Sequence, residues 1–223
     1  MNGRELYERR QGDFHSQLAK SRNPVRAWFH RFRQCAVKDL VTENYTPGDI
    51  IVDVGCNNCV WNTDKLPLVG VDVAQNLVEH AVTRGRLSSP VICDITRIAL
   101  RSECADIVIA AEILEHIVDH DQALSELNRI LKKDGKLVLT VPYDTFFSAW
   151  KPLFWLQCVL HGWVLGDDYF KQHGGHVNHF SPKKIRELLE KHGFLVVKQF
   201  TNFRFTIFTL SQKKQTNHSL AGC

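Results

Sequence analysis

Residues 49–74 read DIIVDVGCNNCVWNTDKLPLVGVDVA: two short apolar runs, each closing on an aspartate, Asp53 and Asp72. An apolar run that stops at a small-residue turn and resumes as a second apolar run predicts a parallel βαβ unit. Gly55 supplies the tight turn after the first strand. An acid at the tip of the second strand suits the hydroxyls of a ribose, so the stretch predicts a nucleoside pocket. Two later positions of the turn, where glycine is most often found, hold Asn57 and Cys59.

Around this unit the pattern alternates. Asn23 and Pro24 read as an N-cap and first helical position. Val25, Trp28, Phe29, Phe32, Ala36 and Leu40 then recur at helical spacing, giving an amphipathic helix that ends before Pro47 and Gly48. Strands are expected at 49–54, 68–72, 90–93, 105–111 and 136–142, with only a short helix between the first two and a helix over 75–84. The run after Ala111 reads as a long helix stopped by Gly135, and Ser181, Pro182 and Gly193 punctuate a helix over 182–192. FLVVKQF and RFTIFTL form a terminal hairpin turning at Thr201 and Asn202. Strands alternating with helices imply a mainly parallel sheet with one antiparallel edge strand.

The chain has 223 residues, 44% of them hydrophobic, enough for one substantial core. The organisation expected is a helical arm over 1–44, one domain over 45–210 with a cap at about 146–180, and a disordered tail over 211–223. Seven cysteines scattered through strands and helices do not form a disulfide framework, and MNGRELYERRQGDF lacks an apolar signal core, so a cytoplasmic protein with reduced thiols is expected. The net charge is only +4, but six basic and no acidic residues lie from Lys20 to Lys38. This arm would meet any anionic partner, or else it is a helix with a basic solvated face.

IIVDVGC, VGVDVA, VICDIT, ADIVIAAEILEHI, LKKDGKLVLTVP and HVNHFSPKKIRELLEKHGF occur in that order. Together they resemble the class I S-adenosylmethionine-dependent methyltransferases, in the group that includes the ubiquinone-biosynthesis O-methyltransferases, over residues 35–210. The resemblance implies a Rossmann-like three-layer sandwich around a mainly parallel seven-stranded sheet with one antiparallel strand. It implies that Gly55 lets the methionyl end of S-adenosylmethionine approach, that Asp53 holds its amino group directly or through water, that Asp72 holds its ribose, that Asp94 and Ile95 hold adenine, and that Cys56, Asn57 and Val73 also bind the cofactor. Ala111 and Glu112 would line the sulfonium end.

Methyl transfer from a sulfonium is an in-line displacement, which calls for positioning and, for a hydroxyl acceptor, a base or a metal. Glu112, Glu115 and His116 fall on one helical face if the segment is helical, and His173, His176 and His179 follow in a late loop. Glu112, Glu115, His116 and His176 are thus the candidate ligands of a divalent ion (Mg, Mn or Zn), an arrangement that also resembles the small-RNA 3′-terminal 2′-O-methyltransferases. Without metal, His116 or His176 is the expected base, with Glu112 beside it. Cys56 and Cys59 form a lone CxxC with no second pair, a poor basis for zinc.

Trp150, Trp155 and Trp163 lie in the segment from Phe146 to Gly166, where this fold inserts its substrate cap. An aromatic cap implies an apolar small-molecule acceptor or contact with a membrane interface, and packing on the core is the plainer alternative. The expected activity is O-methylation of a small, hydrophobic or lipid-linked molecule. An RNA 2′-O-methyltransferase and a non-catalytic methyltransferase-fold subunit remain the alternatives; the modest charge argues against nucleic acid, and Asn57 and Cys59 motivate the subunit.

Overall fold

The computed structural model describes residues 19–21, 24–145, 155, 159, 163 and 177–215. Asn23, His173, His176, most of the aromatic segment and both ends of the chain lie outside the described residues.

Helix α1 (Pro24–Thr42) starts at its proline and buries Val37, Leu40 and Val41. The other elements are β1 (Ile51–Val54), β2 (Leu68–Asp72), α2 (Gln75–Thr83), β3 (Ser89–Ile92), β4 (Ala105–Ala111), α3 (His120–Ile130), β5 (Leu131–Pro142), α4 (Pro182–Lys191), β6 (Phe194–Asn202) and β7 (Thr206–Lys213). Two 3-10 turns, Ile95–Arg97 and Leu114–His116, follow β3 and β4.

The strands form one sheet in the order β3-β2-β1-β4-β5-β7-β6. All neighbours are parallel except β7, which runs antiparallel to both β5 and β6. The antiparallel strand is therefore interior, not at the edge as the sequence pattern implied. Side chains alternate across the sheet: Val52, Val108 and Ala110 face a core closed by α3 and α4, while Ile51, Ile107 and Ile109 face a second core closed by α1 and α2. Both faces are dry, which explains why β1 and β4 read as unbroken apolar runs.

Four further expectations are corrected. No helix forms between β1 and β2; Asn62 takes its place by accepting from Leu66 N at 2.9 Å and donating to the Leu66 and Arg86 carbonyls. Those bonds satisfy backbone groups that a helix would have paired internally. The segment after Ala111 is not one long helix, because Glu112 takes φ +55 and α3 begins only at His120, capped by Asp119. Gly135 does not stop α3, which ends at Ile130; Gly135 lies within β5, where a Cβ would come within 2.9 Å of the Lys132 carbonyl. Finally, β7 runs to Lys213, past the expected start of a tail, and the hairpin turns at 203–205.

Candidate functional site

In open parallel sheets, ligands bind beyond the carboxyl ends of the strands where the order reverses. Here that place is the crevice between β1 and β4, whose register pairs Asp53 with Ile109 and so sets Gly55 level with Ala111. Gly55 turns the chain at φ +72, and its amide donates to the Val71 carbonyl at 2.7 Å. A Cβ there would lie 2.4 Å from Ile113 Cδ1, so any side chain would collide with the β4 side of the crevice.

Asn57 (φ +50) and Cys59 (φ +45) both adopt the left-handed backbone that glycine usually supplies. Each costs on the order of 1 kcal/mol, least for asparagine. Asn57 N donates to Asp72 Oδ2 at 2.8 Å, and Ala74 N donates to Oδ1 at 2.9 Å. These bonds lock the carboxylate at the tip of β2 and leave a lone pair on each oxygen. Burial nevertheless pushes the Asp72 carboxyl up, against the backbone amides of Ala74, Asn57 and Val73. Asn57 Oδ1 is buried without a partner. The Asp72 carboxylate, fixed at the tip of β2 by the Asn57 and Ala74 amides, is the observation that fits a ribose here.

Asp53 is 2% exposed, and its Oδ2 accepts from Trp61 Nε1 at 2.8 Å and lies 3.6 Å from Cys59 Sγ. Burial pushes the carboxyl up to about 6 despite those donors. The carboxylate expected to hold a cofactor amino group, directly or through water, thus already accepts from an indole that sequence reasoning missed; the only signal was a tryptophan eight residues on. Cys56 is buried against Gly70, where a Cβ would be 2.8 Å from its sulfur. The neighbouring Cys59 thiol and burial push the Cys56 thiol well up, so this CxxC is a packed pair of neutral thiols.

Asp94 caps the 3-10 turn after β3, its Oδ1 accepting from Thr96 N at 2.8 Å and from the Thr96 hydroxyl at 2.7 Å. Ile95 is buried beneath it, while Val73 is half-buried beside Asp72. Glu112, at the tip of β4, accepts from Thr140 Oγ1 at 2.9 Å and pairs with Arg33 Nη1 at 2.9 Å. Glu115 is 2% exposed; its Oε2 has no partner, and burial together with the Glu112 charge pushes its carboxyl well up. His116 Nε2 lies 3.8 Å from Glu115 Oε1.

The described members of the expected metal set, Glu112, Glu115 and His116, do not form a three-ligand group. Glu112 is not helical, so the one-face argument fails, and a guanidinium occupies one of its oxygens. Among the described residues no three metal-ligating side chains converge. His176, the fourth expected ligand, lies outside them. A different histidine stands in view: His179 Nδ1 makes a short hydrogen bond to Asp144 Oδ2, on a buried carboxylate two residues beyond the end of β5. Asn178 holds this loop in place by donating to the Leu114 and Ile117 carbonyls at 3.1 and 2.6 Å.

Residues 52–139, from β1 through most of β5, match the model of the methyltransferase domain family. The match covers less than half of the chain, which over that stretch is similar to methyltransferase domains. Over 100 residues it is 32% identical to the tRNA (carboxymethyluridine(34)-5-O)-methyltransferase of Mus musculus, an alignment covering 42% of this chain and 15% of that protein. The chain thus spans a small part of that relative. It is 24% identical over 185 residues to the ubiquinone biosynthesis O-methyltransferase of Bartonella bacilliformis, covering 78% of this chain and 72% of the other. Among solved structures, a Haloferax volcanii methyltransferase bound to a methyltransferase activator shares the fold with a TM-score of 0.64 at 18% identity, covering 86% of this chain and 93% of that one. S-adenosylmethionine is the cofactor that the methyltransferase match implies.

Proposed function

We propose that the chain transfers the methyl group of S-adenosylmethionine to an oxygen of a small hydrophobic or lipid-linked acceptor. The observation that carries the cofactor half is the Asp72 carboxylate, fixed at the tip of β2 by the Asn57 and Ala74 amides, beside the Gly55 turn. When bound, the cofactor supplies an electrophilic methyl on a positive sulfur. Asp72 holds the ribose hydroxyls, Asp94 and Ile95 the adenine, and Gly55, Ala111 and Glu112 border the methionyl end.

For a hydroxyl acceptor, the oxygen forms a bond to the methyl carbon as the carbon–sulfur bond breaks, its electron pair returning to sulfur. The proton goes to an imidazole. His179 is better prepared for this than His116, because Asp144 holds its Nδ1–H and so presents Nε2 as the basic nitrogen. Its side chain is more than half exposed, as a base that meets an incoming acceptor must be. No step is routed through a metal, since Glu112, Glu115 and His116 do not converge.

The lipid-linked reading is supported by the relative named for ubiquinone biosynthesis, which aligns over most of this chain. An RNA acceptor is the second reading, favoured by the relative named for tRNA modification. The test is calorimetry with S-adenosylhomocysteine, followed by transfer of labelled methyl to isoprenoid phenols and, separately, to total tRNA. Heat on binding and label in the phenols is the expected result. Label in tRNA alone, with steep salt dependence, selects the second reading. Absence of any heat at saturation means a subunit that has lost cofactor binding.

A further inference from the structure

The rim of the crevice carries an aromatic and basic face that the methyl-transfer reading does not use. Trp28 on α1 and Phe203 in the β6–β7 turn pack at a tilt of 60° with ring centroids 5.7 Å apart, yet are 42% and 74% exposed. Behind them Phe32 lies 5.8 Å from Trp28, and Phe29 lies 5.6 Å from Phe205, so the exposed pair is backed by aromatic packing. The side chains of Lys20, Arg31 and Arg204 are exposed on the same two elements and the turn that leads into α1. An open cavity of about 520 Å³, lined by Pro24, Ala27, Trp28, Arg31, Phe32 and Cys35, adjoins this face.

The turn itself is unusual. Phe203 (φ +42) and Arg204 (φ +61) both adopt left-handed backbone, which hairpin turns normally assign to asparagine and glycine. A bulky aromatic residue there is strained, and strain of this kind persists where a side chain is needed at a tip. Stability alone would favour glycine. The position is also telling: Pro142 pairs with Thr206 and Tyr143 N donates to the Phe205 carbonyl, so the turn lies at the end of the sheet where the crevice opens.

We infer that Trp28, Phe203, Arg31 and Arg204 form a docking surface for an anionic phospholipid membrane, with the crevice mouth turned toward the lipid. Interfacial binding of this type combines aromatic side chains at headgroup depth with basic residues drawn to anionic lipid. The charge pattern selects the occupant. From Lys20 to Lys38 there is no acidic residue, so a second copy would meet this face with like charge. An anionic bilayer is complementary over the whole patch. A lipid-linked acceptor could then reach the crevice without leaving the membrane; that use rests on the methyl-transfer reading, whereas the docking itself does not.

The experiment is co-sedimentation of the full chain with phosphatidylcholine vesicles, with and without phosphatidylglycerol, across a salt series. Binding is expected only with phosphatidylglycerol and should weaken with salt. Arg31→Glu and Arg204→Glu should each reduce it by roughly fivefold or more. Phe203→Gly separates docking from folding, because glycine suits this backbone: the variant should keep or raise the melting temperature while losing vesicle binding. Failure to sediment with anionic vesicles, equal binding to neutral ones, or unchanged binding by Phe203→Gly would each overturn the inference. So would single-stranded RNA that binds the same face in preference to vesicles. S-adenosylhomocysteine calorimetry on the same samples reports separately on the methyl-transfer reading.

Discussion

Arg33 Nη1 on α1 and Glu112 Oε2 at the tip of β4 lie 2.9 Å apart, joining two segments 79 residues apart in sequence across the mouth of the crevice. Both side chains are largely buried, and each has a second support: Thr140 on the glutamate, and the Phe29 ring 5.6 Å from the guanidinium carbon. The pair ties the N-terminal helix to the domain at the point where the methionyl end of the cofactor is expected.

Arg33→Ala leaves Glu112 with a buried charge and one hydrogen bond fewer. The loss is about 1–3 kcal/mol of stability, read by thermal unfolding. A vicinal cation and anion also complement the zwitterion of an amino acid. Binding of S-adenosylhomocysteine should therefore weaken more in this variant than binding of 5′-methylthioadenosine, which lacks that group; equal weakening would show that Arg33 acts only on the fold.

Asp72→Ala removes the acceptors for the ribose and the partner of two backbone amides. A charge-assisted hydrogen bond is worth about 1.5–3 kcal/mol, so affinity for S-adenosylhomocysteine should fall on the order of tenfold to a hundredfold. The β2 strand should survive, as judged by circular dichroism. Unchanged affinity would place the ribose elsewhere.

His179→Ala should lower the turnover rate by roughly a hundredfold or more while leaving cofactor affinity intact, the usual scale for loss of a general base. Asp144→Asn should lower it less and disturb the acidic limb of the pH–rate profile, where a general base gains its proton, because the amide no longer accepts from Nδ1. A profile that keeps its shape in both variants would exclude the pair from proton transfer.

The carboxyl of Asp53 rises from 3.8 to about 6 on folding, because burial outweighs its bonds to Trp61 and Cys59. The folded chain thus holds this proton more tightly than the unfolded one. Its contribution to stability is complete below about pH 3.8 and is lost as pH climbs through about 6, a span worth roughly 3 kcal/mol. Wild type should therefore lose stability relative to Asp53→Asn as pH rises through that window, followed by urea unfolding at several pH values. Parallel curves would mean that Asp53 is ionised throughout.

The strands were legible because their signals are local. In β1 and β2 the apolar run, the Gly55 turn and the terminal Asp72 are adjacent in the chain, and backbone sterics alone require a residue that tolerates positive φ there. The Ser181, Pro182 and Gly193 signals likewise place α4 to within a residue, since capping bonds span one turn. The Glu112, Glu115, His116 motif misled for the complementary reason. Its spacing has a meaning only on a helix, and the backbone leaves helical geometry at Glu112, whose carboxylate is engaged by Thr140 and Arg33.

Sequence by itself determined a three-layer α/β fold, the order of its motifs and the acids at the strand tips, all of which follow from hydrophobic periodicity and turn chemistry within a few residues. Tertiary structure alone decided what those acids touch. Trp61 closes over Asp53, Arg33 claims Glu112, Asp144 orients His179, and Phe203 meets Trp28 at the rim, each through a contact whose partner is set by how the helices and hairpin pack on the sheet. Such pairings depend on distances in space, and no spacing along the chain encodes them.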